Sequence, residues 1–151
     1  MRIVSIDYGK KRTGLAVTDP LQIIANGLAT VSSVELFGFL ETYVKKEGVE
    51  RIVIGRPTQM NGQPSENLVR VENFYNRWCK AHPEIPIEYY DERFTSVIAH
   101  RAMIDGGVKK KVRQENKGLV DEISATIILQ DYMKSRRVER TIYVFEMDKN
   151  F

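Results

Sequence analysis

Apolar residues in this chain follow two rhythms. Near the N-terminus they come in short β-branched runs, and further along they recur at helical spacing. Residues Arg2 to Asp7 (RIVSID) predict a central strand, and Tyr8 to Arg12 (YGKKR) a glycine-containing turn. Thr13 to Thr18 (TGLAVT) predicts a second strand, close enough to pair with the first as a hairpin and broken by Asp19 and Pro20. Ile23 to Val31 predicts a third, with Gly27 weakening it. The continuously apolar run Arg51 to Gly55 reads as a buried parallel strand. Ile87 to Tyr90 predicts the fifth strand and runs into Asp91-Glu92-Arg93.

The helical rhythm begins after Ser33. Leu36, Phe37, Leu40, Tyr43 and Val44 form one stripe, and Gly48 ends it. Ser65 to Ala81 predicts a second helix with Leu68, Val71, Phe74, Tyr75 and Trp78 on one face. A third is expected over Ser96 to Ile104, stopped by Gly106-Gly107, and a fourth over Val120 to Met133 with Ile123, Ile127, Ile128 and Tyr132. Thr141 to Phe145 alternates weakly, which predicts an extra strand or a tail. Three strands followed by strand–helix crossovers imply a mixed sheet covered by helices: an antiparallel three-strand meander plus two parallel strands. The domain is expected over 1–137, and 138–151 as a C-terminal tail.

Composition narrows the class. A chain of 151 residues with 42% apolar and 28% charged content is one globular domain, neither disordered nor fibrous. A net charge of +3 permits an anionic partner without requiring one. The single Cys79 excludes an internal disulfide or a zinc cluster and is expected to pack on its helix. His82 and His100 form no cluster and read as surface or structural residues. No apolar stretch approaches the roughly 20 residues of a membrane span. A cytoplasmic protein without a membrane partner is expected.

The candidate chemistry is carboxylate chemistry. Asp7 ends a buried strand, where a carboxylate calls for a partner, and Gly9 follows it. Glu92 lies just past the end of another strand, beside Asp91. Sites in sheets of this kind form beyond the carboxyl ends of strands. Asp121 opens the last helix, and the small Ser124 and Ala125 on that helix let it lie close to the sheet. Three acids on separate elements, without a His or Cys cluster, match an oxygen-ligand site for Mg²⁺ or Mn²⁺. Tyr89 and Tyr90 are expected to face opposite sides of their strand. The stretch 106–118 carries five cations and one acid, a net charge of +4, more than the whole chain. Lys109, Lys110, Lys111 and Arg113 there, with Lys10 and Arg12 in the first turn, are candidate phosphate contacts.

Four blocks carry a resemblance: DYGKKRTGLAVTD at Asp7 to Asp19, IVIGRPTQMNG at Ile52 to Gly62, DERFTS at Asp91 to Ser96, and LVDEISATIILQDYM at Leu119 to Met133. Together they resemble the YqgF family of bacterial proteins, also called RuvX, described as pre-16S rRNA nucleases or Holliday junction resolvase-like proteins. The resemblance implies a ribonuclease H-like fold and a metal-dependent nuclease. It places metal-binding, catalytic acids at Asp7, Glu92 and Asp121, and basic positions at Arg12 and Arg93. For a fourth acid, Asp91, Glu122 and Asp19 are the candidates. Arg56 stands where the family usually has an apolar residue. The expected substrate is structured RNA, above all the 5′ region of pre-16S rRNA, with ribosomal particles as partners. A DNA junction nuclease and a non-catalytic RNA-binding assembly factor are the alternatives. A nucleotide-binding kinase would need a second domain of this kind, for which 151 residues leave no room.

Overall fold

The computed structural model describes residues 1–57, 66–91 and 117–149, with side chains in the last stretch from residue 118 to residue 136. Five strands form one mixed sheet: β1 (Arg2–Tyr8), β2 (Arg12–Thr18), β3 (Ala25–Ser32), β4 (Val49–Arg56) and β5 (Ile87–Asp91). Their order across the sheet is β3-β2-β1-β4-β5. β1 pairs antiparallel with β2, and β2 with β3, while β1–β4 and β4–β5 are parallel. This is the meander plus two parallel strands that the apolar runs predict. The β-branched residues of β1 and β4 are buried on both faces, as central strands require.

Helices α1 (Leu36–Lys46) and α2 (Glu66–Ala81) cover one face of the sheet. There Val4, Ile6, Leu15, Ile52, Ile54 and Ile87 meet Leu36, Leu40, Val71, Phe74 and Trp78. Full burial of each large side chain stabilises the fold by roughly 1.5–3 kcal/mol relative to exposure. Trp78 spends its polar edge on the Ile85 carbonyl, to which Nε1 donates at 3.2 Å. Cys79, one residue on, is exposed. Its expected packing role falls away because Trp78 takes the inward position.

Helix α3 (Lys117–Lys149) covers the other face. Its inward stripe is Ala125, Ile128, Leu129, Tyr132 and Met133, packed on Ile3, Ala16, Ala25 and Val53. The expected stripe through Ile123 and Ile127 is thus rotated; both are only half-buried. The backbone at Thr141–Phe145 is helical and continuous with α3, so the extra strand does not form. The expected helix at 96–104, Glu92, Arg93, His100, Lys109, Lys110, Lys111 and Arg113 lie outside the described residues. Among the described residues no helix is long and apolar enough to cross a membrane.

Candidate active site

The three parallel strands finish at the same end of the sheet. Ile3 and Ser5 of β1 face α3: Ile3 packs in its core, and Ser5 Oγ donates to the Ala125 carbonyl at 2.6 Å. Strand alternation puts Asp7, two residues on, over the same face at the strand's end. It is half-buried there. The residue opposite Asp7 on β2 is Gly14.

Gly14 is where α3 comes closest. A Cβ built on it would collide with the Asp121 carbonyl and lie 2.9 Å from the Asp121 Cβ. Asp121 therefore stands directly over the β2 position that neighbours Asp7, and adjacent strands are only about 4.8 Å apart. Two acids separated by most of the chain share one face at one end of the sheet. Glycine inside a strand often marks such a close approach, a signal in the sequence that points to Gly14 as part of the site.

Arg12, exposed at the start of β2, donates from Nε to Asp121 Oδ2 at 2.7 Å. The guanidinium expected to hold phosphate is thus committed to a carboxylate. Lys10 is exposed in the β1–β2 turn. That turn is clamped from two sides. Ser33 Oγ donates to the Gly9 carbonyl at 2.6 Å, and Ser33 N donates to the Lys11 carbonyl at 2.9 Å. Asn67 Nδ2 donates to the Tyr8 carbonyl at 2.6 Å. Neither Ser33 nor Asn67 carries a sequence signal of this role, because the contact is made across elements.

β5 ends at Asp91, in register with Arg56 at the end of β4. Glu92 is the next residue along the chain. Arg56 is exposed, with its guanidinium 5.6 Å from the centroid of the Tyr89 ring. Tyr89 stacks on Tyr75 at 4.2 Å on the α2 side, and Tyr90 meets Tyr132 edge-on at 6.3 Å on the α3 side, so the pair divides between the faces as expected.

Two of the candidates for a fourth acid lie elsewhere. Asp19 follows β2 at the opposite end of the sheet, where its carboxylate accepts from the backbone N–H groups of Leu21, Ile23 and Ile24. Glu122 lies over β3, 3.3 Å from where a Cβ on Gly27 would be. His82 is a structural residue, with its ring nitrogens 2.8 Å from Glu41 and 3.2 Å from Glu84.

The donor set would fit a hard cation: Asp7 and Asp121 offer carboxylate oxygens, and among the described residues no imidazole or thiolate joins them. Among the described residues no group of three possible ligands occurs, so a third would have to come from outside them.

A five-stranded sheet in this order, with one long helix across the face that bears Asp7, is the ribonuclease H-like architecture. Solved structures agree. The fowlpox virus Holliday junction resolvase superposes with a TM-score of 0.54 at 13% identity, covering 89% of this chain and 99% of that one. RuvC of T. thermophilus, solved with a Holliday junction substrate, gives 0.54 at 17% identity, covering 91% and 96%. The chain belongs to the RuvX family, described as Holliday junction resolvases, whose pattern matches residues 1–135. It is 63% identical to a protein of Phocaeicola vulgatus over 90% of this chain and 97% of that protein. It is 62% identical to one of Bacteroides thetaiotaomicron over 90% and 98%. Both bear the name "Putative pre-16S rRNA nuclease".

Proposed function

We propose that this chain is a metal-dependent nuclease that hydrolyses a phosphodiester bond in the 5′-end processing of pre-16S rRNA, in the cytoplasm, on ribosomal precursor particles. One observation carries the reading: Asp121 packs on Gly14, the β2 partner of Asp7, so both acids stand on one face at the end where the parallel strands finish. Family membership and the names of the relatives support the reaction class.

In this reading Asp7, Asp121 and Glu92 are the catalytic acids and hold Mg²⁺ or Mn²⁺. Bound there, such a cation stabilises charge on the scissile phosphate and lowers the pKa of a water nucleophile. The protein's own residues do the rest. The clamped β1–β2 turn fixes the backbone that follows Asp7 and so limits how far the strand end has to reorganise. Arg12 holds Asp121 in place in the free protein and lies ready to turn to a phosphate oxygen when substrate brings a competing anion. Lys10, Arg93 and the run Lys109, Lys110, Lys111 and Arg113 supply positive charge along the substrate backbone.

The family description favours a second substrate, the four-way DNA junction. The purified protein, incubated with Mn²⁺ or with chelator, separates the readings. Labelled pre-16S leader, unstructured single-stranded RNA and DNA junctions are the substrates. Metal-dependent cuts confined to the leader are expected. Cuts confined to the junction would transfer the chain to DNA, and no cutting of any substrate would leave a binding protein.

A further inference from the structure

On the sheet face away from Asp121, α1 and α2 leave a pocket of about 230 Å³. Tyr8, the residue after Asp7, forms one wall of it, so the pocket opens beside the same strand end. Its other walls include Ser33, Phe37, Arg70, Asn73 and Arg77. Arg70, Asn73 and Arg77 are spaced three and four residues apart on α2 and share one side of that helix. The Arg77 guanidinium lies 3.9 Å from the centroid of the Phe37 ring. Phe37 in turn is held edge-on by Phe74 at 6.1 Å and by Trp78 at 5.6 Å. Neither Arg70 nor Arg77 has a carboxylate partner among the described residues.

Two guanidinium groups without carboxylate partners, one over an aromatic ring, are a chemistry suited to a nucleotide. Bases stack on aromatic and guanidinium planes, and arginine grips phosphate through its planar fork. The pocket offers about 230 Å³, room for a single base, which has to leave any helix it belongs to in order to enter. We propose that it binds one unpaired nucleotide of the substrate strand, with the base stacked on Arg77 over Phe37 and the phosphate on Arg70. A strand passing over the end of the sheet then reaches Asp7 on one face and this pocket on the other. The proposal deepens the nuclease reading by assigning the substrate an unpaired nucleotide next to the cut, and rests on that reading for nucleic acid as the ligand.

The test uses the full chain in chelator, so that binding is read without cleavage. Single-stranded RNAs carry 2-aminopurine at successive positions. Quenching at one position is expected with the wild type. Arg77→Lys keeps the charge and loses the flat stack, so it should lose the quenching and keep the salt dependence. The double variant Arg70→Ala/Arg77→Ala should bind single strands about tenfold more weakly. Its salt slope should fall by about 0.7 for each phosphate that the two arginines no longer neutralise. Duplex affinity should stay at the wild-type value. Both variants change side chains on the helix surface, and thermal melts verify the fold. Wild-type affinity and quenching in the double variant would overturn the proposal, and so would an equal loss on single strands and duplexes. Quenching by a wild-type protein that never cleaves with Mn²⁺ would keep the pocket and overturn the nuclease reading. Cleavage with the pocket variants binding normally would do the reverse.

Discussion

Gly14 sets how close α3 comes to the sheet. Its hydrogen atom leaves room for the Asp121 backbone, and any side chain would push the helix outward. Gly14→Ala should therefore cost about 1–3 kcal/mol, the usual penalty of overpacking, read from urea denaturation, and it should lower cleavage by moving Asp121. Wild-type stability in this variant would mean that the helix does not rest on that position. Asp19 acts at the far end of the sheet as a turn cap. The Ile24 N–H and other backbone donors hold its carboxyl below the usual 3.8, outweighing the raising effect of burial. A depressed folded-state pKa contributes stability that is full above the unfolded value and fades as pH falls through the lower folded value. The melting temperature of Asp19→Ala should thus lie below wild type at pH 7, and the gap should close below about pH 3.8. Residues of this kind were unequally legible. Asp7 announces itself as a carboxylate ending an apolar strand, whereas Gly14 is missed although a glycine inside a strand signals a close approach. Ser33 and Asn67 give no such signal, because their role consists of hydrogen bonds to a turn that only the folded chain brings to them.

Helix α3 ties the strands together by crossing them. The Gly118 carbonyl accepts from Thr30 of β3 at 2.6 Å, Asp121 rests on Gly14 of β2, and the Ala125 carbonyl accepts from Ser5 of β1 at 2.6 Å. Further along, the Tyr132 hydroxyl accepts from Arg51 Nη1 of β4 at 3.0 Å. Ser5→Ala removes one of these ties from a fully buried position and should destabilise the protein by about 1 kcal/mol, measurable as a lower denaturation midpoint. An unchanged midpoint would show that the packing of Ile128 and Leu129 alone seats the helix. The sequence predicts this helix, since small residues near its start and an apolar repeat are both visible. Its inward face was less legible. Ile123 and Ile127 are as apolar as Ile128, and only contact with the sheet selects Ala125 and Leu129 instead. The continuation through 141–145 was also hidden, because weak alternation over a few residues does not distinguish a strand from a helix.

Across the complete fold, the kind of sheet was legible because short connections force the meander and apolar runs mark the parallel strands, while the order β3-β2-β1-β4-β5 comes from the structure. The candidate acids were legible as a list, and topology brings two of them, Asp7 and Asp121, to one face: α3 returns across the face on which β1 ends. The phosphate contacts proposed for the basic run are tested at this level too. Replacing Lys109, Lys110 and Lys111 by Ala should weaken binding to all nucleic acids alike and flatten the salt dependence by about two to three units. An unchanged salt slope would remove these lysines from the interface.

The nuclease reading stands or falls with Asp7 as part of a catalytic metal centre. Asn at this position keeps the shape and removes the charge that a hard cation requires. The deciding assay is cleavage of labelled pre-16S leader by wild-type protein and by Asp7→Asn, each with Mn²⁺, alongside a thermal melt. Cleavage by the wild type and none by Asp7→Asn is expected. The variant should melt at or above the wild-type temperature, because neighbouring acids no longer repel without metal. Cleavage at the wild-type rate by a folded Asp7→Asn protein would take Asp7 out of the chemistry and the metal centre with it.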